Sequence, residues 1–179
     1  MSVMLVGARG EVATALVRRL IAEGDEVRVI EDSPDRSESW RDLGAHVARG
    51  EASDEDLLER AGQNVRTIVA FDPAPDSLDA VLTACGGARI GRVVVCSASV
   101  EPHIERRLAA SGLEYVYLTT GRVGLLRKRI DDDLVAEAID AADDIGGEPQ
   151  MVLELKDEKA WERLGLTPPG TPRGSEGPS

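Results

Sequence analysis

The sequence predicts an α/β protein with a doubly wound, mostly parallel sheet of six to seven strands and helices on both faces. Short runs rich in Val, Ile and Leu alternate regularly with longer stretches in which apolar residues recur at helical spacing. Strands that alternate with helices in this way are joined by right-handed crossovers, and the sheet is covered on both faces. A glycine-containing turn also separates the first strand from the first helix.

Local signals justify the elements of the first half in chain order. The first strand, 3–6, is a continuous apolar run, and the helix over 12–21 has Gly24 placed to terminate it. The second strand, 26–30, alternates apolar with polar residues. Acidic residues suit the start of the third helix, because the helix dipole favours negative charge there. The other predicted segments of this half are helix 38–43, strand 45–48, helix 53–61, strand 65–71 and helix 76–85.

The second half continues the alternation and then changes in composition. Strand 92–96 is the most apolar, and the helix over 102–110 ends at Ser111-Gly112. From Thr167 onward, thirteen residues contain four of the nine prolines and three glycines. This composition predicts a disordered tail over 167–179, after a single domain over 1–166. The remaining predicted segments are strand 115–118, helix 131–143, strand 151–155 and helix 158–164.

Charge and composition exclude several classes of function. There are 33 acidic and 21 basic side chains, which gives a formal net charge of −12. Nucleic acids and anionic lipid surfaces both require clustered Lys and Arg, so neither is expected as a general partner. No apolar run approaches the roughly 20 residues that span a bilayer. Two cysteines are too few for a disulfide framework or a zinc site, and we expect a cytoplasmic protein without a metal.

The turn between the first strand and the first helix reads GARGEVA over residues 7–13. Glycine permits a tight turn and a close approach of the backbone to a pyrophosphate, and the helix that follows presents free N–H groups to the anion. The context predicts a Rossmann-like dinucleotide site, the alternative being a tight turn without a ligand. An inward-pointing Glu11 would compete with the pyrophosphate. The predicted cofactor-binding residues here are Gly7, Ala8, Arg9, Gly10, Glu11 and Val12.

Two carboxylates follow the second predicted strand. Glu31 or Asp32 stands about where a carboxylate accepts hydrogen bonds from an adenosine ribose. Because a carboxylate repels a 2′-phosphate, NAD is favoured over NADP. Arg9 and Arg36 are able to compensate a 2′-phosphate, so NADP stays open. The alternative for Glu31 is an ordinary solvated residue at the end of a strand.

Four segments of the chain carry a family resemblance: MLVGARG at 4–10, GEAS at 50–53, RVVVCSAS at 92–99 and SGLEYVYLTTG at 111–121. Together they resemble the atypical and extended short-chain dehydrogenase/reductases, which include the NmrA-like NAD(P)H-binding proteins. The resemblance covers about residues 3–155. It implies that Glu51 and Ala52 lie near the adenine, where the family has a Gly-Asp pair. It also implies that Ser97 is the serine that ends the fifth strand.

The catalytic pair of that family is missing. Its enzymes use a Tyr and a Lys four residues later, and the lysine lowers the pKa of the tyrosine. This chain has two tyrosines, Tyr115 and Tyr117, and the residues four positions on are Thr119 and Gly121. His103 is a weaker candidate acid, expected to be exposed at a helix start. We therefore predict no catalytic residues, and we favour a binding role over enzymatic turnover.

Two functions from different classes follow. The first is an NAD(P)-binding sensor or partner subunit, or a weak oxidoreductase, with a homodimer or a partner protein as a possible assembly. The alternative is a regulatory nucleotide-binding domain of the TrkA-N type, as in ion-uptake systems, which the stretch GEASDEDLL over 50–58 would suit. The G-x-x-G spacing of the loop and segment 111–121 favour the first. A fold that acts only through protein contacts is a third possibility.

Overall fold

Strands and helices alternate along the part of the chain that the computed structural model describes, residues 2–121, 130–146 and 150–169. The strands are β1 (Ser2–Val6), β2 (Glu26–Glu31), β3 (His46–Arg49), β4 (Thr67–Phe71), β5 (Arg92–Ser97), β6 (Glu114–Thr119) and β7 (Gln150–Glu154). The helices are α1 (Gly10–Ala22), α2 (Pro34–Asp42), α3 (Glu55–Ala61), α4 (Pro75–Ala88), α5 (Pro102–Ser111), α6 (Asp132–Asp144) and α7 (Glu158–Arg163).

The described strands form a single sheet in the order β3-β2-β1-β4-β5-β6-β7, and every neighbouring pair is parallel. Strand β1 is an interior strand, because Val6 lies opposite Ile30 of β2 on one side and Ala70 of β4 on the other. From β1 the chain adds strands in one direction as far as β3, and then in the other direction from β4. The predicted doubly wound, Rossmann-like α/β class is confirmed.

Two aliphatic cores cover the two faces of the sheet. Val3 and Leu5 of β1 pack with α1, α2, α6 and α7, whereas Met4 and Val6 pack with α3, α4 and α5. This alternation follows from the period of two along a strand. Aromatic residues make up 3% of the chain, so the cores are built mainly from Val, Leu, Ile and Ala.

The ends of the helices follow the sequence signals closely. Asp54 caps α3 by accepting a hydrogen bond from the Leu57 N–H at 2.9 Å, and Gly112, in the left-handed region, ends α5. Helix α2 is the exception, since it begins at Pro34, four residues before the predicted start. Ser33-Pro34 is a favourable start, because the fixed φ of proline suits the first helical position. The predicted tail lies outside the described residues from position 170 onward.

A cluster of charges joins α6 to the amino ends of the strands. The buried Asp143 carboxylate accepts hydrogen bonds from Arg66 and from the Thr67 hydroxyl. Arg92 donates to the Asp143 carbonyl and also bonds Glu114 at 2.9 Å. The arginines compensate for carboxylates at the negative end of a helix dipole. This cluster is structural, and it lies at the sheet edge opposite the predicted site.

Candidate functional site

All eleven residues predicted to bind a cofactor lie at the carboxyl edge of the sheet, either at the last residue of β2 or β5 or in the segments that follow β1, β2 and β3. At this edge β1 stands where the direction of strand addition reverses. In open parallel sheets, ligands bind in the crevice outside such a reversal. The residues are Gly7, Ala8, Arg9, Gly10, Glu11, Val12, Glu31, Asp32, Glu51, Ala52 and Ser97.

The glycine loop requires both of its glycines. Gly7 has a φ of +70°, and a Cβ atom there would lie 2.7 Å from the Phe71 carbonyl oxygen at the end of β4. Gly10 has a φ of +74°, and a Cβ atom there would point into open space. Ala8 and Ala13 are buried, so the loop and α1 sit close to the sheet. The loop is therefore tight on its inner side and open at Gly10, where α1 begins.

The first turn of α1 keeps its backbone donors free of side-chain caps. Arg9 precedes the helix with extended backbone (φ −148°, ψ 149°), and no side-chain cap bonds the helix start within the described residues. Glu11 is exposed and does not cap the turn. The competition that an inward-pointing Glu11 would create is therefore not seen in this structure. Uncapped N–H groups at the positive end of a helix dipole suit an anion.

The carboxylate of Glu31 is held in a group that we call the Glu31 clamp, formed by Glu31, Ser33, Arg36 and Trp40. Oε1 accepts hydrogen bonds from the Ser33 N–H (2.9 Å) and from Arg36 Nη2 (2.8 Å). Oε2 accepts from Arg36 Nε (2.9 Å) and from the Trp40 indole (3.3 Å). Burial alone would raise the pKa of Glu31, but the hydrogen bonds from Arg36, Ser33 and Trp40 lower that pKa from 4.5 to about 2.

The clamp changes what the two carboxylates after β2 can do. A carboxylate has about four acceptor positions, and the clamp uses all four on Glu31, whose exposure is 4%. The neighbouring Asp32 is exposed and pairs with Arg36 at 3.0 Å. The sequence left Glu31 and Asp32 as equal candidates for a ribose contact, and in the structure Asp32 is the one with an accessible carboxylate. A helix that starts at Pro34 and brings Arg36 back to Glu31 is the signal that sequence reasoning missed.

The loop after β3 borders the same edge. The Gly50 N–H donates to the Glu31 carbonyl at 3.2 Å, which joins the ends of β2 and β3. Glu51 is exposed and Ala52 is half-buried, and the Glu51 carbonyl accepts from the Asp54 N–H at 3.2 Å. This turn leads directly into α3. Both predicted adenine residues therefore lie on a short ordered turn beside the Glu31 clamp.

The hydroxyl of Ser97 is engaged in a buried network with Tyr117. Ser97 Oγ donates to the Ser99 carbonyl at 2.8 Å and lies 2.9 Å from the Tyr117 hydroxyl. That hydroxyl also bonds the Ser99 carbonyl and accepts from the Glu101 N–H, both at 3.0 Å. Ser97 and Tyr117 are both buried. The network fixes the β5–α5 loop from the inside, and it occupies the serine that short-chain dehydrogenases would need for chemistry.

Asp72 is a further residue of this edge, and it follows β4 directly. Its φ of +39° is uncommon for a residue other than glycine. Its N–H donates to the Cys96 carbonyl at 2.9 Å, and its Oδ1 accepts from the Ala98 N–H at 3.2 Å. These two bonds tie the ends of β4 and β5 together. An Asp-Pro pair immediately after a buried strand marks this position in the sequence.

The described residues offer few groups for proton transfer. Tyr115 and Tyr117 are buried, and burial raises the pKa of the Cys96 thiol to about 12, so this thiol is inert. His103 is half-buried at the start of α5, rather than exposed as predicted. His46 lies at the amino end of β3, away from the carboxyl edge. Within the described ranges no cluster of His, Cys, Asp or Glu is arranged to hold a metal ion.

Comparison with known proteins identifies the family. The family model of the TrkA-N domain matches residues 3–119, which run from β1 to the end of β6. The chain belongs to the TrkA-N domain family. No curated protein sequence is significantly similar to it. Among the described residues of this TrkA-N domain, no helix is long and apolar enough to cross a bilayer.

Solved structures share the fold of this TrkA-N domain at low sequence identity. ChuY, an anaerobilin reductase from Escherichia coli O157:H7, is 16% identical with a TM-score of 0.73, over 86% of this chain and 96% of ChuY. The NADPH-dependent quinone oxidoreductase QOR2 from E. coli is 17% identical with a TM-score of 0.70, over 85% of this chain and 68% of QOR2. A Citrobacter triphenylmethane reductase is 14% identical with a TM-score of 0.65, over 86% of this chain and 69% of the reductase.

These structures share the Rossmann fold that the resemblance to atypical short-chain dehydrogenase/reductases implies, and that fold is confirmed. The matching family model is that of the TrkA-N type, which the sequence indicated as the alternative to a short-chain dehydrogenase/reductase. The two assignments are compatible, because both imply a nucleotide-binding Rossmann fold, and this chain has the doubly wound strand order of that fold.

Proposed function

We propose that this TrkA-N domain binds a nicotinamide dinucleotide at the carboxyl edge and acts as a non-catalytic sensor or partner subunit. The observation that carries the proposal is the loop from Gly7 to Gly10, with two glycines of positive φ and an uncapped helix start beyond them. Two solved relatives support it, since QOR2 is described as complexed with NADPH and the triphenylmethane reductase as complexed with NADP(H).

Each part of the dinucleotide has a proposed contact. The pyrophosphate takes backbone N–H groups of Gly7, Ala8, Arg9, Gly10, Glu11 and Val12, with the exposed Arg9 adding a positive charge. Asp32 accepts hydrogen bonds from the hydroxyls of the adenosine ribose. Glu51 and Ala52 border the adenine, and the loop after Ser97 borders the nicotinamide. The proposed domain spans residues 1–166. Because the net charge of the chain is −12, the chain as a whole does not attract an anionic dinucleotide, and binding depends on these local donors.

A non-catalytic role is supported by the groups that surround the nicotinamide end. The Ser97 and Tyr117 hydroxyls bond each other and the β5–α5 loop. A hydroxyl that is held in this way cannot also position a substrate carbonyl without breaking that network. The sequence contains no Tyr-x-x-x-Lys pair to transfer a proton. A domain of this kind signals because the bound dinucleotide favours one of its conformations, and a partner protein or a second copy then recognises that conformation.

A weak oxidoreductase is the second candidate. It is favoured by the names of the solved relatives, which include an anaerobilin reductase and a quinone oxidoreductase. Direct hydride transfer to a quinone-like or conjugated acceptor needs less acid–base assistance than reduction of an isolated carbonyl. Consumption of NADH or NADPH, followed by absorbance with a panel of such acceptors, distinguishes the two candidates.

The first experiment is a thermal-shift panel with NAD, NADH, NADP, NADPH and ATP. A ligand at one hundred times its Kd stabilises by about 2.7 kcal/mol, which corresponds to a rise in Tm of roughly 5–11 °C for a domain of this size. Gly10→Glu should abolish the rise, because it places a carboxylate at the start of α1. Gly112→Glu is the matched control, because Gly112 has a similar positive φ (+70°), is exposed and has open space around it. Absence of a shift with all five nucleotides would contradict the proposal.

A further inference from the structure

Three of the five N–H donors of Arg36 are committed to the carboxylates of Glu31 and Asp32. Arg36 Nε and Nη2 donate to Glu31, and the second N–H of Nη2 donates to Asp32. A guanidinium has five N–H donors, so the two on Nη1 remain. The guanidinium edge used for bidentate recognition of a phosphate is therefore occupied by a carboxylate of the protein.

The clamp also fixes the local charge. Glu31 and Asp32 carry two negative charges against one positive charge on Arg36, so these three side chains have a net charge of −1. The pKa of Glu31, lowered to about 2, keeps its carboxylate charged at neutral pH. Buried Trp40 anchors the same carboxylate from the core side. The Glu31–Arg36 pair is thus built into the fold, although 43% of the Arg36 side chain is exposed.

We propose that Glu31 is a positioning residue that holds Arg36 away from the ribose 2′ position, so that the site selects the dinucleotide without a 2′-phosphate. This inference rests on the proposed function. Asp32 is then the carboxylate that contacts the ribose, and the 2′-phosphate of NADP meets a net negative surface. The sequence offered Glu31 or Asp32 as the ribose contact and Arg36 as a possible partner of a 2′-phosphate. In the structure these two side chains bind each other.

Calorimetric titration of the full chain with NADH and NADPH tests the proposal. Adenosine 5′-phosphate and adenosine 2′,5′-bisphosphate serve as fragment probes that isolate the 2′-phosphate. The wild type should bind NADH at least about tenfold more tightly than NADPH. Glu31→Gln keeps the size of the side chain and frees Arg36, and it should tighten NADPH about tenfold, because a hydrogen bond to a charged group is worth that much.

Two further variants separate release of Arg36 from a general change of charge. Glu31→Gln combined with Arg36→Gln restores the net charge, and it should restore the wild-type preference for NADH. Arg41→Gln, on an exposed position of α2, removes one positive charge without touching the clamp and should leave the preference unchanged. Circular dichroism and a melting curve confirm that each variant is folded.

Arg36→Gln alone tests the inference even if Glu31→Gln does not fold. Because Arg36 is not a phosphate contact in the wild type, Arg36→Gln removes only a nearby, partly exposed positive charge and should weaken NADPH binding by less than about fivefold. A loss of about tenfold, a wild type that prefers NADPH, or a folded Glu31→Gln with an unchanged preference would each overturn the inference alone. A wild type that binds none of the four probes would overturn the proposed function, and the inference with it.

Discussion

Replacement of Glu31 by Gln should destabilise the protein strongly at neutral pH and weakly in acid. The carboxylate has a pKa of about 2 in the folded chain, against 4.5 as its ordinary value. Each pKa unit is worth about 1.4 kcal/mol, so the charged clamp contributes about 3 kcal/mol. The glutamine side chain would also present an amide N–H₂ group to the donors of Arg36 or Trp40, which adds to the loss.

The sign of the pH dependence follows from the direction of that pKa. Folding lowers the pKa of Glu31. The stabilisation that the charged carboxylate contributes is therefore fully present above pH 4.5 and is lost as the pH falls through about 2. The difference in unfolding free energy between wild type and Glu31→Gln should therefore shrink from about 3 kcal/mol at pH 7 toward zero near pH 2. For a domain of this size it corresponds to roughly 6–12 °C in Tm at pH 7.

Urea denaturation, followed by circular dichroism at several pH values, measures this difference directly. Taking wild type and variant at the same pH cancels the titration of all other groups. Asp32→Asn is the matched control, because its pairing with Arg36 is exposed and should cost less than about 1 kcal/mol at any pH. A Glu31→Gln variant whose loss is the same at pH 7 and pH 2, or below that of the control, would show that the charged clamp does not stabilise the fold.

Three more substitutions test other parts of the site and fold. Gly7→Ala should cost at least about 1–2 kcal/mol and weaken NADH binding, because its Cβ would lie 2.7 Å from a backbone oxygen and its φ is +70°; melting curves with and without NADH measure both effects. Tyr117→Phe removes the hydroxyl that bonds Ser97 and the Glu101 N–H, and about 1–3 kcal/mol should be lost with NADH binding retained; loss of binding alone would contradict a structural role. Asp143→Ala should cost about 3–5 kcal/mol by urea denaturation, because it leaves buried donors without their acceptor, and an equal cost for Asp144→Ala would argue against this cause.

Local patterns were enough to predict the alternation of elements, the glycine loop and the acidic start of α3. Periodicity and caps act within a few residues, and those signals are present in the sequence itself. The roles of Glu31 and Ser97 depend on pairings made by the fold. Arg36 reaches Glu31 only because α2 begins at Pro34. The partner of Ser97, Tyr117, is twenty residues further along the chain and belongs to the next strand of the sheet.

The interior position of β1 has a consequence for how the chain folds. Its neighbours are β2, which follows after one helix, and β4, whose first residue is Thr67. Until β4 has been synthesised, one edge of this buried strand has no partner, and its N–H and C=O groups can pair with another chain. Pairings at such long separation are slow to form. A polypeptide cut short before Phe71 should therefore aggregate through β1, whereas one that extends beyond β4 has both edges of that strand covered.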